Sequence, residues 1–245
     1  FQAEDGIRYL RMPRGLGDVY KRQGVEKPAA LFIETVQAEG GVQVFSVDYL
    51  KAVRELCDKY GILLIVDDIQ VGCARTGTFF SFERAGIVPD MVVMSKSIGG
   101  YGMPFALTMF KPELDIWAPG EHNGTFRGNQ LSMVAARYGL QYMLENNVEA
   151  EVKRKEEIVR TYFNDNLQGD AVQIRGIGLI WGIQVADGKT ALAIANRCFE
   201  KGLIIERAGR DNDVVKLMPA LTIPDDQLVK GLDILVSSVK EICNL

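Results

Sequence analysis

The chain has 245 residues, 47% of them hydrophobic and 24% charged, and its formal net charge is −4. This composition is typical of a globular protein and excludes a chain that is disordered throughout. Without a long basic run, or an apolar stretch near the roughly 20 residues that span a bilayer, neither a nucleic-acid nor a membrane partner is expected.

The cysteines and the single histidine limit the chemistry further. The four cysteines are far apart and form no CxxC pair: Cys57, Cys73, Cys198 and Cys243. This spacing argues against a zinc ribbon and against a dense disulfide framework, so we expect reduced thiols and a cytosolic protein. His122 alone cannot make a three-histidine metal site, and no GxSxG turn accompanies it for a serine triad, so no metal is expected.

The first 23 residues lack the pattern of a folded segment. They carry five basic residues among scattered glycines and show neither a helical nor a strand period of apolar residues. The stretch resembles translated sequencing-adapter DNA, and protein-like patterning begins near Pro28. We therefore predict that residues 1–23 are not native, and a flexible N-terminal arm is the alternative.

The next segment predicts a strand, a helix and a second strand. Apolar runs at 29–33 and 62–66 are typical of strands, and the second is expected to be buried on both faces because it does not alternate. Ser46 is a candidate N-cap and Gly61 a candidate helix-ending glycine. One face of the helix between them is apolar: Leu50, Val53, Cys57 and Tyr60. Such a unit implies parallel strands.

Two further strands and a long helix follow. Apolar runs at 91–94 and 105–110 predict the strands, the second as an antiparallel edge. The helix is expected to start near Asn129, and its apolar residues lie on one side: Leu131, Val134, Ala135, Tyr138 and Tyr142. We interpret residues 24–160 as the C-terminal part of a large α/β domain with a mainly parallel sheet.

Beyond about residue 165 the pattern changes to short strands mixed with two helices. The strands are expected at 172–175, 179–185, 203–206 and 214–217. The last helix carries an apolar stripe: Leu228, Leu232, Leu235, Val239 and Ile242. We therefore predict a small α+β domain over residues 161–245.

Charged side chains follow two of the predicted strands. Asp67 and Asp68 end one, and Lys96 follows the next, which places a carboxylate and an amine at the edge of an open sheet where ligands bind. Each feature alone is usually a cap or an exposed residue. Pyridoxal phosphate needs the two together, because the amine forms a Schiff base with its aldehyde and the carboxylate keeps the ring nitrogen protonated. Glycines just after Lys96 would let backbone pass close to cofactor and substrate.

A long spaced pattern carries a family resemblance. Residues 65–77, then Pro89-Asp90-Met91, then Ser95-Lys96 with Gly99-Gly100 resemble the signature of the class III pyridoxal-phosphate-dependent aminotransferases. Three other segments are similar to further parts of that family: 32–41, 123–129 and 175–179. The resemblance covers about residues 28 to 243 and implies the fold type I of pyridoxal-phosphate-dependent transferases.

The resemblance also implies a role for each matching residue. Lys96 would form the Schiff base and later move a proton between the substrate Cα and the cofactor C4′, which requires a partly dry pocket. Asp67 would pair with the pyridinium nitrogen, and Gln70 would hydrogen-bond the ring oxygen. Thr125 would bind the cofactor phosphate of a neighbouring subunit, which implies at least a dimer with active sites at the interface.

Substrate recognition is implied by a second pair. Related enzymes pair a glutamate at the position of Glu39 with an arginine that is released to bind a carboxylate of 2-oxoglutarate. Lys216 stands at the second position here, so a Glu39–Lys216 switch is one hypothesis and a plain surface ion pair, contributing about 0–1 kcal/mol, is the other.

Finer details are similar to one branch of the family. The Asp-Asp-Ile-Gln form of the motif and the segments 100–106 and 202–206 are similar to the branch that serves ectoine biosynthesis. That branch moves an amino group between glutamate/2-oxoglutarate and aspartate 4-semialdehyde/2,4-diaminobutyrate. Ornithine-type and 4-aminobutyrate-type transaminases are the main rivals, and an aminomutase or racemase on the same scaffold is another. A non-enzymatic scaffold is disfavoured because it has no need of Asp67, Gln70, Lys96 and Thr125 together.

The family's N-terminal portion, with its glycine-rich phosphate loop and cofactor-stacking ring, has no counterpart in this sequence. The resemblance therefore implies that this chain alone holds the cofactor weakly and has little activity. Unpaired strand edges would also favour aggregation.

Overall fold

A computed structural model describes residues 27–100, 102–169 and 171–245, so the predicted leader 1–23 lies outside the described residues. In chain order, the first half forms β1 (Ala30–Ile33), β2 (Val36–Gln37), β3 (Gln43–Val44), α1 (Val47–Tyr60), β4 (Leu63–Asp67), β5 (Met91–Met94), β6 (Leu107–Phe110) and α2 (Gln130–Glu145). The second half forms α3 (Val148–Asn166), β7 (Gln173–Ile177), β8 (Ile180–Gln184), α4 (Gly188–Glu200), β9 (Glu206–Ala208), β10 (Val214–Leu217) and α5 (Asp225–Cys243). Short 3-10 helices lie at Glu83–Ala85, Lys96–Gly99 and Pro112–Leu114.

The first sheet has the strand order β1-β4-β5-β6. β1 and β5 both run parallel to β4, whereas β6 runs antiparallel to β5. The predicted parallel unit and the predicted antiparallel edge are therefore both confirmed. β2 and β3 form a separate hairpin beyond the end of β1.

Local signals place the ends of α1 where the sequence predicts them. The Ser46 hydroxyl oxygen accepts a hydrogen bond from the Tyr49 backbone N–H at 3.1 Å. Gly61 adopts the left-handed conformation, with φ of 59°, and its N–H bonds back to the last helical turn. The helix buries Leu50, Val53 and Cys57 against the sheet.

β4 is not buried on both faces, and that expectation is wrong for the described chain. Leu64 and Val66 are fully buried beneath α1, whereas Leu63, Ile65 and Asp67 are only half-buried. The reason is that α1 covers one face of the strand, while the described residues cover the other face incompletely.

α2 begins after Asn129, whose side chain accepts a hydrogen bond from the Ser132 N–H at 3.1 Å. The predicted apolar side of this helix faces outward, since Leu131, Val134, Tyr138 and Tyr142 are exposed. Ala135, the fifth residue of the predicted side, is half-buried, and the inward side carries the buried small residues Ser132 and Ala136. A Cβ on Gly100 would lie 2.3 Å from the Ala135 carbonyl oxygen, and one on Gly139 would lie 2.9 Å from the Gly100 Cα.

The second sheet is antiparallel throughout, in the order β7-β8-β10-β9. The strand predicted at 203–206 begins only at Glu206. Its expected start fails because the Leu203 N–H is used to close α4, donating to the Cys198 carbonyl at 2.8 Å. The stripe on α5 is confirmed: Leu228, Leu232, Leu235 and Val239 are buried, and Ile242 packs beside them.

The core of the second sheet includes α3. Val148, Val152, Val159 and Phe163 join α4, α5, β8 and β10 in one buried cluster. The boundary between residues 160 and 161 falls within α3 and stays a prediction. Among the described helices, none combines the length and the apolar character needed to cross a bilayer.

Candidate active site

Asp67 and Lys96 lie at the same edge of the first sheet. Asp67 is the last residue of β4 and is paired with Val93 on the parallel strand β5. Lys96 follows the end of β5 by two residues. Because the carboxyl ends of parallel strands meet at one edge, the two side chains are delivered to the same place, as the sequence predicts.

Lys96 has an unusual backbone for a residue with a side chain. Its φ of 51° lies in the left-handed region, which costs about 1–2 kcal/mol for a non-glycine residue. Neighbouring contacts hold the conformation: the Ser95 hydroxyl donates to the Phe105 carbonyl at 3.1 Å, and α2 packs closely on Gly100. Strained residues of this kind cluster at functional sites.

The Lys96 ammonium makes no hydrogen bond or ion pair with any described residue. The residue is exposed, so the dry pocket that its proposed chemistry requires is not closed by the described part of the chain.

The two neighbouring aspartates have different environments. One Asp67 carboxylate oxygen accepts from the Ile69 N–H at 3.0 Å, and the other has no hydrogen-bond partner among the described residues. Asp68 is 1% exposed and is fully engaged: it accepts from the Ser81 N–H at 3.0 Å and from the Ser81 hydroxyl. Ser81 in turn accepts from the Thr35 hydroxyl at 2.6 Å. Asp67 is thus open to a ligand, whereas Asp68 is structural.

Burial raises the pKa of the Asp68 carboxyl to about 6, against hydrogen bonds from Ser81 that act in the opposite direction. A folded-state pKa above the unfolded value means that the folded chain binds the proton more tightly. The contribution of Asp68 to the stability of the folded state is therefore fully present below about pH 4 and is lost as the pH rises through about 6. The free energy of unfolding falls by about 2–3 kcal/mol across this range.

We therefore expect Asp68→Asn to remove this pH dependence. At pH 7.5 the free energy of unfolding of the variant should be about 1–2 kcal/mol larger than that of the wild type. The two free energies of unfolding should become equal near pH 4. Urea unfolding of both proteins at several pH values measures the difference. A difference that is the same at every pH would contradict the prediction.

Gln70 is tied to the second predicted pair. Its side-chain amide nitrogen donates to a Glu39 carboxylate oxygen at 3.0 Å, and its own carbonyl oxygen is buried without a partner among the described residues. Lys216 donates to the same Glu39 oxygen at 2.5 Å. The structure thus brings together Glu39, Lys216 and Gln70. The hydrogen bonds from Lys216 and then Gln70 lower the pKa of the Glu39 carboxyl.

Thr125 is not brought to this cluster. It lies in an exposed segment before α2 and shares no hydrogen bond with Asp67, Gln70 or Lys96 in the described chain. Its role on a phosphate stays a prediction.

Sequence reasoning missed two glutamates at the site. Glu34 accepts from the Ala38 N–H at 3.2 Å, and burial raises the pKa of its carboxyl, with the charges of Asp67 and Glu39 acting in the same direction. Glu206 lies 3.1 Å from the Lys216 ammonium. Glu34 lies within the family-like segment 32–41, so the sequence could have indicated it as a site residue. The position of Glu206 depends on strand register, which the sequence does not show.

The open polar groups fit pyridoxal phosphate. Asp67 offers a carboxylate oxygen, Gln70 a buried carbonyl oxygen and Lys96 an amine at this sheet edge, and none of the three is hydrogen-bonded to a described residue. A buried acceptor without a donor is costly and indicates a missing partner. The Asp67 carboxylate matches the protonated ring nitrogen of the cofactor, the Gln70 carbonyl matches the ring hydroxyl, and the Lys96 amine matches the aldehyde carbon.

Comparison with known proteins shows the family to which the chain is similar. A family model described as Aminotransferase class-III matches residues 10–239. The diaminobutyrate–2-oxoglutarate transaminase of Streptomyces coelicolor is 50% identical over 245 residues, which is 98% of this chain and 56% of that protein. The protein of the same name from Sporosarcina pasteurii is 49% identical over 225 residues, covering 89% of this chain and 53% of the relative.

Solved structures share the fold as well. The ornithine aminotransferase of Toxoplasma gondii ME49 superposes with a TM-score of 0.85 at 28% identity, over 93% of this chain and 54% of that one. The chain spans about half the length of the curated relatives it matches.

Proposed function

This chain belongs to the class-III aminotransferase family, and from that premise we propose that it carries the catalytic lysine of a transaminase specific for diaminobutyrate. Its fold is that of the fold type I pyridoxal-phosphate-dependent transferases, with part of a large domain and a small α+β domain. The proposed reaction moves an amino group between glutamate/2-oxoglutarate and aspartate 4-semialdehyde/2,4-diaminobutyrate. Its cofactor is pyridoxal phosphate.

One observation carries this proposal. Parallel strands β4 and β5 deliver an aspartate and a lysine to one sheet edge, and each offers an atom that no described residue uses. A carboxylate and an amine so placed match the two ends of the cofactor ring. The choice of diaminobutyrate over ornithine is supported by the names of the relatives at 48–50% identity.

The residues of this chain would act at stated atoms. When bound, pyridoxal phosphate supplies an electron sink that stabilises negative charge at the carbon bearing the transferred amino group, which is Cα of glutamate and C4 of 2,4-diaminobutyrate. Asp67 would hold the proton on the ring nitrogen. Lys96 would hold the cofactor through its Nζ, and on release would move a proton between the cofactor C4′ and the amino-bearing carbon of the substrate, Cα of glutamate or C4 of 2,4-diaminobutyrate. Gln70 would orient the ring through its oxygen.

Glu39 and Lys216 would serve the two substrates in turn. Paired as in the structure, they leave room for the amino groups of diaminobutyrate. If Glu39 moves aside, the Lys216 ammonium is free to bind a carboxylate of glutamate or 2-oxoglutarate. Lysine binds such a carboxylate as a point charge, without the two-pronged geometry of arginine.

An amino-acceptor assay tests the reaction. In the full-length protein that contains this sequence, 2,4-diaminobutyrate and 2-oxoglutarate should be converted to glutamate and aspartate 4-semialdehyde in equal amounts. Ornithine and 4-aminobutyrate serve as matched rival donors. Isomerisation of one amino acid without consumption of 2-oxoglutarate would point to a mutase or racemase and would contradict the proposal.

We also propose a dimer in which Thr125 binds the phosphate in the partner's site. The support is that Thr125 shares no hydrogen bond with Lys96 in the described chain and lies in an exposed segment beside exposed apolar residues such as Phe126 and Leu131. A cytosolic location is supported by the four cysteines, which are all free.

Mixing two inactive variants tests this arrangement. A dimer of one Lys96→Ala and one Thr125→Ala subunit holds one site with both residues intact. Random reassociation of equal amounts should therefore recover about a quarter of the wild-type activity, because half of the dimers are mixed and each has one working site. Lys96→Ala mixed with itself is the control. Recovery no greater than the average of the two separate variants would rule out a shared site.

A further inference from the structure

Lys216 is held by two carboxylates. Its Nζ lies 2.5 Å from a Glu39 oxygen and 3.1 Å from a Glu206 oxygen. The lysine side chain is 1% exposed, whereas the side chains of Glu39 and Glu206 are 67% and 68% exposed. The ammonium is therefore enclosed by protein, while both glutamates that contact it face solvent.

The backbone fixes both glutamates in place. Glu206 lies directly opposite Lys216 in the antiparallel pair of β9 and β10. Glu39 comes from the turn between β2 and β3, and its carbonyl accepts from the Gly209 N–H, just beyond β9, at 2.9 Å. The cluster thus joins the β2–β3 hairpin to the second sheet through a backbone and a side-chain contact.

The charges of the cluster do not cancel. One ammonium and two carboxylates give a formal charge of −1, and the third polar partner, Gln70, is neutral. A lysine ammonium has three donors and can serve two carboxylates at once. A single Glu39–Lys216 pair would instead be neutral.

We propose that Glu206 is a specificity-determining residue. Its carboxylate favours binding of the ammonium of a diamino acid at this end of the site and disfavours binding of the second carboxylate of a dicarboxylic acid. The inference rests on the proposed function and deepens it. Glu206 acts here on the substrate through Lys216 and through its own charge.

The physical reason is competition for one ammonium. A dicarboxylate that binds Lys216 must displace Glu39, which is also held by Gln70, and it then stands beside the remaining carboxylate of Glu206. Like charges at such distances repel. A second ammonium brought by a diamino acid would instead neutralise the excess negative charge. The same residue therefore disfavours one substrate and favours the other.

Glu206→Gln tests this in the full-length holoenzyme, since it keeps the shape and removes the charge. We expect the KM for glutamate to fall about fivefold and the KM for 2,4-diaminobutyrate to rise about threefold, with both kcat values within about twofold of the wild type. The dissociation constant of glutarate, a dicarboxylate that cannot react, should fall about fivefold by calorimetry. All three shifts should shrink at high salt.

Two further variants separate charge from structure. Glu206→Asp keeps the charge and should resemble the wild type; if it matches Glu206→Gln instead, the inference is overturned. Glu157→Gln removes a comparably exposed glutamate on α3 and should leave all constants unchanged. If the wild type converts diaminobutyrate while Glu206→Gln leaves the KM ratio and the glutarate affinity unaltered, the inference fails and the proposed function stands. If the wild type does not convert diaminobutyrate, the proposed function fails, and the glutarate affinity still decides the role of Glu206.

Discussion

Replacing Lys96 with alanine is expected to lower the rate of transamination on the order of 10⁴-fold or more in the full-length enzyme. Proton transfer by a positioned side chain alone contributes typically about 10²–10⁴-fold, and this variant also loses the amine that binds the cofactor. No other lysine or histidine is expected to substitute, because among the described lysines Lys96 alone follows β5 at the edge that Asp67 also occupies.

The measurement is kcat for both half-reactions, with Lys51→Ala as the matched control. Lys51 is an exposed lysine on α1 that shares no hydrogen bond or ion pair with Asp67 or Lys96 in the described chain, and its loss should leave kcat within about twofold. In the absence of cofactor, Lys96→Ala should unfold like the wild-type apoprotein, since the side chain makes no hydrogen bond or ion pair with described residues. Residual activity within a hundredfold of the wild type would show that the catalytic amine lies elsewhere.

Asp67→Asn is expected to reduce kcat by about 10²–10⁴-fold, the range typical of a lost charge at a reacting group. Asparagine nearly preserves the shape of the side chain but cannot hold a proton on the cofactor ring nitrogen by charge. Binding of the cofactor should weaken as well, because the Asp67 carboxylate oxygen that no described residue bonds is replaced.

The neighbouring residue provides the control. Asp68→Asn changes the same type of side chain one position away, but Asp68 is buried on the opposite side of the strand and bonded to Ser81. Asp68→Asn should retain activity and should lose the pH dependence of stability that Asp68 confers. If the two variants lose activity equally, the assignment of distinct roles to Asp67 and Asp68 is wrong.

Local signals predicted the elements, because the interactions that end a helix lie within a few residues of each other. Ser46 and Asn129 cap the helices that follow them, and Gly61 ends α1, all through contacts no more than four residues apart. The start of β9 was missed because the Gly202 turn uses the Leu203 N–H to close α4. A run of apolar residues does not reveal whether a backbone N–H will close a helix or join a strand, so this boundary could not be predicted.

Burial was harder to predict than secondary structure. Periodicity identifies the apolar side of α2, but not which side meets the sheet. Here the small residues around Ala135 and Gly139 permit close packing against Gly100, so the larger apolar residues face outward. For the same reason, an apolar run at β4 could not reveal that only one of its faces is well covered.

Part of the site also followed from sequence. Asp67 and Lys96 could be placed together because parallel strands share an edge. The Glu39–Lys216 contact spans 177 residues and was expected only from family resemblance. Glu206 reaches Lys216 through the register of β9 against β10, and Gln70 reaches Glu39 through a loop, so neither contact has a local signal.

The central claim is that Lys96 holds pyridoxal phosphate at this sheet edge. The most direct measurement is an absorption spectrum of the full-length protein with pyridoxal phosphate, before and after addition of 2,4-diaminobutyrate. We expect a band of lysine-bound cofactor that shifts when diaminobutyrate is added and is absent in Lys96→Ala. A wild-type protein without this band, or a Lys96→Ala protein that retains it, would contradict the assignment.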